Sequence, residues 1–195
     1  MIFLSCAVCF AEVSGGQKKY GFSFLGGFAF SGHKSNGAGS VQSSTGLSFG
    51  IGLDYKVMPS IAIEVDLLDV WKNYEVHGAA SVTKNSLSYL EIPILIKYIA
   101  SPNFSLKAGP YLAAFIMSAD REVGRTSSAV KGDFANDFGM TFGAWAGFYP
   151  NQGFSIGLDL QYDLGLNNIL GDSDPSHSIN SRTFISMLAM TFYFK

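Results

Sequence analysis

Apolar and polar residues alternate at every second position from about residue 18 to the end of this chain, in eight separate runs. A period of two predicts strands with one face in an apolar medium, and the spacing of an amphipathic helix does not recur. The apolar rows read Tyr20, Phe22, Phe24, Phe28, Phe30; Leu47, Phe49, Ile51, Leu53, Tyr55, Val57; Ile61, Ile63, Val65, Leu67; and Leu90, Ile92, Ile94, Ile96. The other four are Leu106, Ala108, Pro110, Leu112, Ile116; Phe138, Met140, Phe142, Ala144, Phe148; Phe154, Ile156, Leu158, Leu160, Tyr162, Leu164; and Phe184, Leu188, Met190, Phe192, Phe194. No charge interrupts any of these rows.

The connections alternate in length. Tight turns are expected at residues 57–60, 100–103 and 149–153, each with the proline that presets a turn. Long polar connections are expected at about 32–44, 69–86, 118–133 and 167–180, rich in Gly, Ser, Asn, Asp and Lys. Short and long connections around an even number of strands predict an all-β fold: a closed eight-stranded antiparallel up-and-down transmembrane β-barrel. It would have three short periplasmic turns and four longer extracellular loops.

Volume decides which row faces out. Eight strands enclose a space only just wide enough for side chains, and rows this rich in Phe, Leu and Ile would overfill it. The intervening rows fit inside: Gly21, Ser23, Gly27, Ala29; Gly46, Ser48, Gly50, Gly52; Gly139, Thr141, Gly143, Gly147; Ser155, Gly157. Aromatic residues fall where the two membrane interfaces should lie, with Tyr55, Tyr98, Phe104, Phe148 and Phe154 near the turns and Phe30, Tyr162 and Phe184 toward the loops. Pro93 sits in a strand with no free edge, so a bulge or a skipped hydrogen bond is expected there.

Composition supports this picture. Of 195 residues only 14% are charged and 48% are apolar, with 17 Phe, a poor recipe for a water-facing surface. No run approaches the ~18 apolar residues of a membrane helix. The formal charge of −2 and the lack of any basic run argue against a nucleic-acid partner. Residues 1–11, MIFLSCAVCFA, resemble the apolar core and small-residue cleavage site of an export signal without its basic start, leaving 12–195 as the barrel domain. Cys6 and Cys9 both lie in that segment, so the remainder carries no disulfide and no thiolate chemistry.

Four segments carry a family resemblance: YLEIPILIKY (residues 89–98), KAGPYLAAF (107–115), DLQYDLGLNNI (159–169) and the closing MTFYFK. Together they resemble the small bacterial outer-membrane β-barrel proteins described as porin-family or PorT-like. Lys195 after Phe194 departs from the commonest ending of such barrels, which is the aromatic itself. The resemblance implies a Gram-negative outer-membrane location and insertion by the barrel-assembly machinery. The bilayer and lipopolysaccharide would be its surroundings, and it implies no reaction.

Candidate chemistry resides in the inward row. Asp54, Lys56, Glu64, Asp66, Glu91, Lys97, Lys107, Asp137, Asp159 and Asp163 are expected to form a lumen charge network, with lysines toward the turns and carboxylates toward the loops. It would either be a packed set of salt bridges or a polarised path for small ions. Glu91 with Lys107 is the cross-strand pair expected first. His33, His77 and His177 fall in expected loops without a Ser or Asp partner beside them, so no catalytic site, metal or cofactor is expected. The expected role is non-enzymatic, structural or adhesive through the loops. A narrow channel for ions or very small solutes, a barrel enzyme acting on lipid or peptide at the extracellular rim, and a soluble lipocalin-like carrier are the other readings. Loop charges such as Lys34, Lys72, Glu75, Lys84, Arg121 and Asp172 would supply contacts to a partner.

Overall fold

The computed structural model describes residues 18–35, 40–77, 82–123, 126–130, 136–150, 153–167 and 179–195. The expected export signal, 1–11, lies outside them. The strands are β1 (Tyr20–Ser35), β2 (Ser40–Met58), β3 (Ile61–Trp71), β4 (Tyr74–His77), β5 (Val82–Ser101), β6 (Phe104–Val123), β7 (Thr126–Val130), β8 (Asp137–Pro150), β9 (Phe154–Gly165) and β10 (Ile179–Phe194). All pairings are antiparallel, and β1 pairs β10 from Tyr20–Phe194 to Ser35–Ile179, closing the sheet. The wall has eight strands in the order β1, β2, β3, β5, β6, β8, β9, β10. β4 continues the line of β3 beyond Lys72 and Asn73, and β7 pairs the top of β6.

Closure removes every sheet edge from the hydrocarbon, where an unpaired N–H or C=O would cost several kcal/mol. The inside and outside rows follow the volume argument. Phe24, Phe49, Leu53, Ile94, Ile96, Leu112, Phe142 and Leu188 are exposed outward, whereas Ser23, Ser48, Glu64, Lys107, Thr141 and Asp159 are buried inward. Glycine allows the narrow wall to turn. A Cβ at Gly27 would overlap the Ser186 carbonyl of β10, and one at Gly50 the Leu67 carbonyl of β3. Aromatic rings pair across the seam at the turn end, where Tyr20 lies 5.3 Å from Tyr55 and 5.8 Å from Phe194, centroid to centroid.

The tight turns at 57–60 and 100–103 fall where expected, and the described parts of the first three long connections are mostly strand. Residues 151–152 of the third turn and 168–178 of the fourth long connection lie outside the described residues. β2, β5 and β6 run to 19, 20 and 20 residues, against the ~9–11 that cross a bilayer. Their upper ends pair as hairpins, Tyr74–Asn85 to His77–Val82 and Ala119–Val130 to Val123–Thr126. These stretches lack the apolar–polar alternation of the wall strands, so they read as loop in the sequence. His33 and His77 accordingly lie on strands, opposite Ser181 and opposite Ser40 and Val82. His177 lies outside the described residues.

Pro93 interrupts hydrogen bonding without a bulge. β3 and β5 pair at Val65–Ile94 and again at Leu68–Glu91 in unchanged register. The two intervening pairs, Asp66–Pro93 and Leu67–Ile92, are the ones that need an N–H at Pro93, and they are not formed. Pro110 does the same to the other side of β5, where pairing passes from Pro93–Tyr111 to Ile96–Ala108. Restoring the donor with Pro93→Ala is expected to stabilise the folded barrel by a few tenths of a kcal/mol, roughly the net value of one hydrogen bond less the chain entropy that proline removes. Urea unfolding in lipid vesicles measures it, and a destabilised variant would show that the Asp66 carbonyl has no use for the donor.

Candidate functional site

The inward polar residues assemble into two ion-pair tiers. In the lower tier, toward the short turns, charges alternate in a chain. Lys97 Nζ lies 3.2 Å from Asp54 Oδ1 and 2.6 Å from Glu64 Oε2, and Lys107 Nζ lies 2.5 Å from Glu64 Oε1 and 2.6 Å from Asp159 Oδ2. The chain crosses the lumen and laces β2, β5, β3, β6 and β9. Lys97 also sits 5.7 Å above the Trp145 ring, whose indole lies against Gly147 and Gly157. A Cβ at either glycine would run into that ring.

The upper tier centres on Lys72. Its Nζ is 2.9 Å from both Glu91 Oε2 and Asp137 Oδ2, and it faces the rings of Tyr89 and Tyr111 at 5.4 and 4.9 Å. The Tyr111 hydroxyl donates to Asp137 Oδ2 at 3.0 Å, and Thr141 Oγ1 donates to Asp163 Oδ1 at 2.6 Å. Between the tiers Gln161 Nε2 donates to Asp66 Oδ2 at 3.3 Å. Along β9 the lumen rungs are therefore Asp159, Gln161 and Asp163, about 7 Å apart at two residues per rung.

An apolar cluster fills the other side of the lumen. Leu25, Ala29, Ile185, Met187 and Ala189 of β1 and β10 pack with Leu68, Val70 and Trp145. Small and charged residues alone would not fill that space.

Of the ten residues expected in the network, Glu64, Asp66, Glu91, Lys107, Asp137, Asp159 and Asp163 are buried, and Asp54, Lys56 and Lys97 are half-buried. Lys56 forms no ion pair with a described residue. Two details differ from expectation. Glu91 does not meet Lys107: on β6 it stands opposite Ala113, while Lys107 stands opposite Lys97, six residues or about 20 Å lower along the wall. Nor are the signs segregated along the axis, because Asp54, Glu64 and Asp159 share the lysine level near the turns and Lys72 sits at the loop end. Lys72 itself is fully buried rather than a solvated loop charge. Its signal was parity: Lys72, the residue after β3, continues the alternating buried row Glu64, Asp66, Leu68 and Val70 of that strand.

Among the described residues no three His, Cys, Asp or Glu side chains form a group that could hold a metal ion. The described part of the lumen is built as a set of ion pairs under a lipid-facing wall.

The model of the family described as "Outer membrane protein beta-barrel domain" matches residues 12–171. The chain belongs to this family. Solved barrels of the bacterial outer membrane share its fold. OprG of Pseudomonas aeruginosa matches at TM-score 0.57 and 12% identity, over 92% of this chain and 98% of its own. Ail, the attachment invasion locus protein of Yersinia pestis, solved with the heparin analogue sucrose octasulfate, matches at TM-score 0.52 and 14% identity, over 90% and 100%. The N-terminal barrel of OprF from Pseudomonas aeruginosa matches at 0.51 and 11%, over 92% and 100%. No curated protein matches the sequence. This outer-membrane barrel is therefore a protein of the bacterial outer membrane, with its Phe, Leu and Ile rows in lipid and its hairpins at the end opposite both strand termini.

Proposed function

We propose that the protein is a closed, non-enzymatic barrel whose work is done by its extracellular hairpins, in a structural or adhesive role. The observation that carries this reading is the filled lumen, where a five-member ion-pair chain, a second tier and an apolar cluster occupy the space between the walls. Strands twice the length needed to cross the bilayer then place paired backbone well above it, and that is where a partner would be met. The hairpin pairs Lys84–Glu122 and Asn85–Arg121 put both signs of charge there.

Two measurements test the proposal. Refolded wild-type protein in planar bilayers is expected to give no unitary current above the protein-free baseline; reproducible current steps would instead support the narrow channel. Replacing the whole β4–β5 hairpin (residues 74–85) and the whole β6–β7 hairpin (residues 119–130), each with a two-residue turn, is expected to leave a folded, heat-modifiable barrel and to reduce attachment of expressing cells to surfaces coated with heparin or lipopolysaccharide. The heparin analogue bound to Ail suggests polyanionic glycan as the first ligand class to try. Unchanged attachment to both coatings would remove the adhesive role for such glycans.

A further inference from the structure

Four lysines gather at the turn end of the barrel, around the seam where the sheet closes. The Lys56 N–H donates to the Lys19 carbonyl at 2.8 Å, which sets these two residues opposite each other on β2 and at the foot of β1. The Lys19 N–H in turn donates to the carbonyl of Phe194, the neighbour of Lys195, at 3.1 Å. Lys18 reaches past the end of β10 to Gly153, its Nζ 3.2 Å from where a Cβ on that glycine would stand.

Like charges directly opposite across a sheet repel, so this arrangement costs stability unless an anion sits against it. The described residues supply none. No ion pair joins any of the four lysines to a described residue, and the turns at 57–60, 100–103 and 149–153 contain no Asp or Glu. Asp54, the next carboxylate up the inward row of β2, is held by Lys97. Even a carboxylate on Lys195 itself would leave the ammonium groups in excess. Lys19 and Lys195 are exposed and Lys18 and Lys56 half-buried, so a ligand meets them without any rearrangement.

Height along the barrel decides which anion that is. Tyr20, Tyr55 and Phe194 form the aromatic cluster of this end, and Lys19, Lys56 and Lys195 are their chain neighbours, one residue or about 3.3 Å away. Such aromatic belts lie at the level of the lipid headgroups. Headgroup phosphates therefore stand at the height of the lysines, whose long stems carry the charge into the interface. A soluble acidic partner would have to be recruited, whereas the lipid is already there. We infer that the rim where β10, β1 and β2 meet binds the phosphate headgroup of an anionic phospholipid through Lys18, Lys19, Lys56 and Lys195. The hydroxyls of Tyr20 and Tyr55 add donors at its edge, and the acyl chains run along the exposed Phe24, Leu53 and Phe192. The inference is independent of the adhesive role, which belongs to the opposite end of the wall.

Lipid selectivity tests it. Full-length wild type in phosphatidylcholine vesicles should restrict spin-labelled phosphatidylglycerol over spin-labelled phosphatidylcholine by roughly threefold, as expected of several lysines at a membrane surface. About 1 M salt, which shortens the screening length to about 3 Å, should remove the preference without any substitution. Changing Lys18, Lys19, Lys56 and Lys195 together to Gln should abolish it, and Arg182→Gln, at the loop end of β10, should not. Urea titration supplies a second readout. Phosphatidylglycerol should raise the wild-type midpoint and leave that of the four-lysine variant unchanged, while in pure phosphatidylcholine the variant, relieved of repulsion, should be no less stable than wild type. Equal restriction of both lipids by wild type, or a preference that survives in the lysine variant, would overturn the inference. So would a lysine-dependent response to soluble polyglutamate without lipid selectivity, which would assign the rim to an acidic peptide instead.

Discussion

Lys107→Met is expected to lower the stability of the folded barrel by about 3–5 kcal/mol, the range for removing one partner from a buried ion pair. Lys107 is fully buried and holds two carboxylates, Glu64 and Asp159, so its loss strands Asp159 in the lumen and leaves Glu64 to share Lys97 with Asp54. Asp159 Oδ1 already lacks a donor, which leaves that side chain little to fall back on. Urea titration in lipid vesicles, read by tryptophan fluorescence and by gel mobility, measures the loss. Adding Glu64→Gln and Asp159→Asn to the same chain should recover most of it, because the cost lies in uncompensated charge rather than in lost packing. A loss under about 1 kcal/mol for Lys107→Met, the worth of an exposed pair, would mean that water reaches the lower tier.

A lysine at Ile94 is expected to destabilise the barrel by about 2–4 kcal/mol, the cost of a cationic side chain on the lipid face at mid-bilayer. Ile94 is 49% exposed in the free molecule and lies midway along the wall-crossing part of β5. Val57→Lys, on the same outward face beside the first tight turn, should cost only about 0–1 kcal/mol. The contrast depends on depth in lipid, which neither a sandwich core nor a water-facing barrel would reproduce. Equal losses at the two positions in the same titration would contradict a lipid-facing outer row.

These two substitutions mark the inward and outward rows, and both rows were legible in the sequence. Ile92, Ile94 and Ile96 could face only lipid once the lumen of an eight-stranded barrel was recognised as too narrow for them, and Glu91 and Lys97 had to face in. The ladder defect at Pro93 was legible for an equally local reason, because proline has no N–H in any fold. The strand extensions beyond the wall were not legible: the period-two signal is missing from their sequence, and their polar composition resembles a loop.

Partners in the charged lumen were the other limit. Alternation assigns a side chain to a face, but it says nothing about height along the axis, which depends on how far each strand is staggered against its neighbour. Glu91 and Lys107 looked like neighbours because they lie on consecutive strands. The observed register instead sets Lys97 opposite Lys107 and leaves Glu91 at the level of Lys72. Two like charges facing each other across adjacent strands are compensated by Glu64 of β3 reaching between them and by Asp54 and Asp159 on their outer sides.

By itself, the sequence determined a closed eight-stranded barrel with an apolar exterior and a small, charged interior. Those properties follow from side-chain period, volume and the need to pair every backbone group in lipid. Only the tertiary structure decided that the carboxylates and lysines form two mixed tiers, that an apolar cluster fills the opposite side, and that Lys72 turns in from the hairpin joint to occupy a cage of Glu91, Asp137 and two tyrosines. Those contacts arise from strand stagger and closure, which join residues far apart in the chain at distances that no local pattern encodes.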